Sequence, residues 1–236
     1  MAVSERRERT QRPLAVEVLA RVLIVLVVIA VVTHVFARPF VVPSGSMEPT
    51  IRTGDRVIAQ VIGVDEEDLD RGEVVAFGHG TTWEAERIEE PNPVKNLVRY
   101  GGDVLGVGPS HTAHTVKRVV GLPGEKVECC DAQGRVLVDG EPLDEPYVTH
   151  DMPYTKGETD CSTRARSQRC FPEVTVPEGS YLMLGDNRAN SSDSISPCRG
   201  QSDADGCSPR FVRADQVVGV LGWRVWPLPP GGALRD

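Results

Sequence analysis

The sequence predicts a mainly β domain carried on a single N-terminal transmembrane helix. Three observations lead there. Leu14–Ala37 is a long apolar run close to the N-terminus. Beyond it, apolar residues come in short β-branched runs broken by turn residues. With 23 Gly and 18 Pro in 236 residues, that suits an antiparallel, turn-rich chain better than a helical bundle. No later run is long enough to span, since Val217–Trp226 is short and interrupted by Gly219, Gly222 and Arg224.

Leu14–Ala37 is broken only by Glu17, Arg21, Thr33 and His34. At about 1.5 Å per residue it reaches roughly 36 Å, enough for a hydrocarbon core of about 30 Å. Val, Ile and Leu lie on every face, whereas a soluble helix keeps a polar stripe. Glu17 and Arg21 are spaced to pair near the cytoplasmic interface. Arg6, Arg7, Arg9 and Arg12 precede the run and only Arg38 closely follows it. The positive-inside rule then places residues 1–13 in the cytoplasm, 14–37 across the plasma membrane and 38–236 outside. Val35-Phe36-Ala37 also satisfies the small-residue pattern of a cleavage site, so a removed leader is the alternative to a permanent anchor.

The length allows one large domain or two small ones. The formal net charge is −8, and the first 38 residues are net positive, so the outer part is more acidic still. That balance excludes nucleic acid as a partner, because phosphate contact needs dense Lys and Arg.

Taken in order, strands are expected at Asp55–Ile62 and Gly72–Phe77, separated by the solvated acidic stretch Asp65–Asp70. Residues 79–113 read as an insertion with one strand near Leu97–Tyr100. Thr115–Val120 is a strand, followed by a Leu-Pro-Gly-Glu turn and a second strand through Val127. Arg135–Val138, Asp139-Gly140 and Pro142–Val148 read as a hairpin. Residues 149–172 are a polar loop, Val174–Val176 and Tyr181–Leu184 are strands, and 195–210 is a further insertion. Gln216–Trp226 closes the chain as a strand pair or one bent strand. The expectation is an antiparallel, coiled β domain with a smaller inserted β lobe. Trp223 and Trp226 suit the lipid interface or a core equally well.

Three stretches carry chemistry. Pro43-Ser44-Gly45-Ser46-Met47-Glu48-Pro49-Thr50 offers two hydroxyls with Gly between them and Pro on each side, a segment able to hold one serine in a fixed pose. Val116-Lys117-Arg118-Val119-Val120 sets a lysine among β-branched neighbours. Gly185-Asp186-Asn187-Arg188-Ala189-Asn190-Ser191-Ser192-Asp193-Ser194 is rich in turn chemistry. A serine hydroxyl is a weak nucleophile and needs a base. His34 lies in the apolar run, and His79, His111, His114 and His150 lie in loops, so lysine is the better candidate. To be largely neutral near pH 7 its pKa must fall by roughly 3–4 units, about 4–5 kcal/mol, which burial among apolar groups can supply.

These stretches, with the apolar anchor and Gly54-Asp55-Arg56-Val57, closely resemble bacterial type I signal peptidase, the membrane-bound enzyme that removes signal peptides from exported preproteins. The resemblance implies Ser46 as nucleophile and Lys117 as general base, with Ser44 and the Ser46 N–H serving the oxyanion. It implies that Ser191 hydrogen-bonds the Lys117 amine, that Asp186 pairs with Arg118, and that Asp193 holds the Ser191 turn. Met47 would face substrate or lipid. It also implies a permanent anchor, preprotein substrates with Ala-like residues at the first and third positions before the cut, and no cofactor. The last motif of the family continues Asp-Ser-Arg, but here Ile195 follows Ser194. Arg199, Arg210 or a Cys198–Cys207 bridge could stand in for the missing charge.

Cys161/Cys170 and Cys198/Cys207 are each nine apart in loop-like sequence, and local disulfides are expected there, while Cys129 and Cys130 stay open. No Cys-x-x-Cys or clustered His supports a metal. The competing readings are an anchored β module that binds without catalysis and a self-cleaving Ser/Lys protease. A penicillin-binding type of serine enzyme would need Lys where Pro49 stands.

Overall fold

The computed structural model describes residues 13–80, 83, 88 and 90–227. Apart from Pro13, the arginine-rich segment expected in the cytoplasm lies outside them. Helix α1 (Leu14–Val31) continues through a π-helical turn at Val32–Phe36, and no side chain of α1 itself is buried. Ala37, expected as the last membrane residue, instead opens strand β1 (Ala37–Val41). Ala37 is already extended, and Pro39 keeps the chain so by driving Arg38, the residue before it, out of the helical region.

Ten further strands follow: β2 (Arg56–Gln60), β3 (Val74–Gly78), β4 (His114–Gly121), β5 (Lys126–Cys129), β6 (Val136–Val138), β7 (Glu141–Pro142), β8 (Phe171–Thr175), β9 (Ser180–Leu184), β10 (Val212–Arg213) and β11 (Val217–Trp226). All pair antiparallel. One sheet runs β1-β2-β11-β3-β4-β9-β10, and a second, β7-β6-β5-β8, is inserted between β4 and β9. This second sheet is the expected smaller lobe. The expected hairpin is present, but its second strand stops at Pro142, which has no N–H to extend the ladder. The expected closing segment is the single strand β11, Val217–Trp226, with Gln216 in the 3-10 turn before it, and its register against β2 shifts at Leu221/Trp223. Trp223 and Trp226 are exposed rather than packed in a core.

One expectation fails outright. The segment containing Leu97–Tyr100 is not a strand but helix α2 (Pro93–Leu105). The Asn92 side chain caps its first turn by accepting from the N–H groups of Val94 and Lys95, with Pro93 pre-set at the first helical position. These local signals outweigh a four-residue apolar window.

Strand alternation feeds three core clusters. On β3, Val75 and Phe77 enter one cluster while Val74 and Ala76 enter another. On β9, Tyr181 and Met183 face the first, and Leu182 and Leu184 face the core of the inserted lobe. Both strands are therefore buried on both faces, which is why they read as continuous apolar runs. Disulfides join Cys129–Cys130, Cys161–Cys170 and Cys198–Cys207. The two local bridges match expectation, and the adjacent pair is bonded to itself.

Leu182 is fully buried between the two sheets. Leu182→Ala is expected to cost about 2–5 kcal/mol, read as a shift in the denaturant midpoint of the detergent-solubilised chain. A cost below about 1 kcal/mol would contradict this two-sided packing.

Candidate active site

The serine segment is the loop between β1 and β2. Val42 and Asp55 close its base, with the Val42 N–H donating to the Asp55 carbonyl (2.9 Å) and the Gly54 N–H to that of Val42 (2.8 Å). The Asp55 carboxylate accepts the Arg52 N–H at 2.9 Å. Met47 and Ile51 of the loop are buried, with Val42, in the core beneath it. Met47 therefore anchors the loop and floors a groove rather than facing lipid. Pinned in this way, the loop holds Ser46 over β4.

Lys117 comes from β4, paired opposite Val75 of β3. Its amine is 2.6 Å from the Ser46 hydroxyl. Ser46 is 8% exposed and Lys117 2%. Loss of water around the amine is the largest influence on it. Asp193 and Asp186 act in the opposite sense, and the pKa falls from 10.5 to about 8. That is less than full neutrality at pH 7, where roughly a tenth of the amine is uncharged. The Ser44 hydroxyl lies 3.4 Å from that of Ser46, on the same side of the loop.

The Gly-Asp-Asn-Arg stretch follows β9 and passes directly over the serine loop. A side chain at Gly185 would collide with the Ser46 carbonyl and the Ser191 hydroxyl, so glycine is required there by close approach. Asp186 is fully buried and accepts from Arg118 Nε (2.9 Å) and Nη2 (2.7 Å), the pairing the resemblance implied. Thr50 adds a hydroxyl to the same carboxylate at 2.5 Å. The Asn187 N–H and side-chain amide donate to the carbonyls of Ser46 and Gly45, both at 3.1 Å. Arg188 donates to the Gly185 carbonyl at 3.0 Å and pairs with Glu145 of the inserted lobe.

One expectation is revised, and the charge missing after Ser194 is located. Ser191 is near the site, but its buried hydroxyl has no hydrogen-bond partner among the described residues and does not bond the Lys117 amine. At the departure from the family motif, Ile195 is fully buried in the core of the inserted lobe. The missing charge comes from Arg199, whose Nη2 lies 3.0 Å from Asp193 Oδ2 and 3.2 Å from Oδ1. Arg210 bonds the Asp193 carbonyl at 3.1 Å, and the Cys198–Cys207 bridge holds the same insertion. Asp193 thus keeps its bracing place through a displaced arginine.

Sequence reading gave no role to Thr50, Asn187 or Glu145. Thr50 and Asn187 lay inside the quoted stretches as plain turn residues. Nothing in the sequence marked Glu145, since its partner is 43 positions away.

Comparison with known proteins identifies the family. The family model described as "Signal peptidase, peptidase S26" matches residues 15–226. The chain belongs to the signal peptidase family. It is 32% identical to "Probable signal peptidase I-2" of Synechocystis, over 92% of this chain and 77% of that protein. It is 32% identical to "Signal peptidase I" of Mycobacterium tuberculosis, over 90% of this chain and 74% of that one. "Signal peptidase IB" of Staphylococcus aureus is 28% identical, over 87% and 86% respectively. As a signal peptidase the chain is a serine endopeptidase that removes signal peptides from preproteins, and the binding module without catalysis is not favoured. Signal peptidase I proteins are membrane-anchored, and α1 fits that role.

Gly185→Ala is expected to displace Ser46 from Lys117 and lower kcat by about 100-fold, measured on a preprotein in detergent. Unchanged kcat would show that the close approach at Gly185 does not position the nucleophile.

Proposed function

We propose that Ser46 and Lys117 perform the cleavage, at the outer surface of the plasma membrane, on preproteins held in the same bilayer by their signal peptides. The observation that carries this reading is the 2.6 Å contact between the Lys117 amine and the Ser46 hydroxyl in a buried setting. Neutral Lys117 takes the Ser46 proton as the oxygen attacks the scissile carbonyl. The oxyanion accepts hydrogen bonds from the Ser46 N–H and the Ser44 hydroxyl. The lysine then returns the proton to the leaving amine as the C–N bond breaks, leaving an ester on Ser46. Water gives a proton to Lys117 as it attacks the ester carbonyl, and Lys117 passes that proton to the Ser46 oxygen as its bond to the acyl carbon breaks, restoring the free serine and neutral lysine. A bound peptide covers the site and strips further water from the amine, which favours its neutral form.

The substrate route follows from unpaired strand edges. Among the described residues β1 pairs only with β2, and β9 pairs with β4 only from Arg118 onward, leaving His114–Lys117 paired with β3 alone. Phe40–Val42 and His114–Val116 line one groove that runs to Ser44 and Ser46. An extended peptide adds there as a strand, its alternate side chains entering the apolar walls. Phe40, Val42, Met47 and Val116 leave room for small residues, in keeping with Ala-like positions before the cut. Residues 1–13 are cytoplasmic in this reading, and the exposed Trp223 and Trp226 rest at the lipid interface.

Ser46→Ala and Lys117→Ala are each expected to abolish cleavage of an Ala-x-Ala preprotein in detergent while leaving the melting transition in place. Ser44→Ala is expected to retain activity lowered by about 10²–10³. Full activity of Lys117→Ala would overturn the assignment of the base.

A further inference from the structure

Helix α2 is amphipathic in the wrong sense for a soluble domain. Val94, Leu97, Val98, Gly101 and Val104 recur at helical spacing on one face, and all five are exposed, Val94, Leu97 and Val104 by about 70%. The polar face is turned inward. The Asn96 and Asp103 side chains bond His111 at 2.6 and 2.7 Å, Asp103 also accepts from the Ser110 hydroxyl at 2.6 Å, and Arg99 donates to the Ser110 carbonyl at 2.5 Å. Gly102 lets that face close against the Pro109 carbonyl. The polar contacts fix the helix orientation and leave its apolar stripe without a protein partner among the described residues.

The position of α2 identifies what covers the stripe. Its C-terminal end abuts the outer end of the apolar helix: the Thr33 hydroxyl donates to the Leu105 carbonyl, and Gly106, at φ +66°, lies against Thr33 and His34. In a spanning Leu14–Phe36, those residues occupy the last turn before the outer surface. The stripe therefore continues the lipid-facing surface of α1. We propose that α2 is an interfacial helix, lying on the outer leaflet with Val94, Leu97, Val98 and Val104 in the acyl boundary. The inference rests on reading α1 as membrane-spanning. The insertion at 79–113 then serves as a tether. Through α2 it holds Ser110–His111, three residues before the groove strand at His114, against the bilayer surface where preproteins lie.

The test places a photoreactive benzoylphenylalanine at one position at a time in the full chain, reconstituted in phosphatidylcholine vesicles containing radiolabelled lipid. Sites are Leu97 and Val104 on α2, Val25 in α1, and the exposed loop residue Glu158 as background. All are exposed, so folding is retained and is checked by melting. The expected result is lipid labelling at Leu97, Val104 and Val25, each about tenfold above Glu158. Labelling at Val25 with background levels at Leu97 and Val104 would overturn the interfacial helix while leaving the anchor intact. Background at Val25 as well would overturn the spanning anchor itself. Crosslinking of Leu97 to a second copy of the chain would assign the stripe to a protein interface instead.

Discussion

The site depends on keeping one lysine amine dry. Lowering the Lys117 pKa from 10.5 to about 8 corresponds to roughly 3 kcal/mol of preference for the neutral form over an ordinary lysine. Burial supplies that preference, and two carboxylates, Asp186 and Asp193, oppose it. Neither carboxylate is left unpaired. Arg118 grips Asp186 with two nitrogens, and Arg199 takes Asp193. These ion pairs brace the loop, while the Arg210 guanidinium, bonded to the Asp193 carbonyl, acts with burial to hold the lysine pKa down.

The rest of the architecture delivers Ser46 to that amine. The serine loop has no regular structure, but Met47 and Ile51 root it in the core and Asn187 ties its carbonyls from above. Gly185 and Asn187 bring the end of β9 down on the loop, while Arg188 extends the contact to Glu145 in the inserted lobe. Lys117 thus comes from the middle of β4, and the serine loop and the Gly185 turn come from strand ends of the same sheet, whose central strands β3 and β9 are buried on both faces. Precision of the kind a nucleophile and base need is obtained from that rigidity.

Legibility in the sequence followed the range of the interactions. Ser46 and Lys117 could be named because their neighbours in the chain carry the pattern, and most strands could be placed because β-branched runs and Gly-Pro punctuation are local. Residues acting across long separations could not. Thr50 meets Asp186 across 136 positions, and no periodicity connects them. The Ser191–Lys117 bond expected from resemblance is absent from this geometry, and only the folded chain could reveal that. Arg199 was one of several candidates to replace the charge missing at Ile195, and its contact with the Asp193 carboxylate, set by the fold of the insertion, identifies it. Helix α2 stands where a strand is expected near Leu97–Tyr100: Gly101 and Gly102 weaken the helical signal of its sequence, and the Asn92-Pro93 cap sets the helix all the same.

The central claim is that a depressed lysine, and no other group, activates Ser46. The pH dependence of kcat/KM for a preprotein tests it most directly. The neutral amine is the active form, so activity is expected to be present above about 8 and to fall by tenfold per unit below it, as Lys117 gains its proton. An ascending limb near 10, the ordinary range of an exposed lysine, or one near 6.5, the range of histidine, would contradict the account.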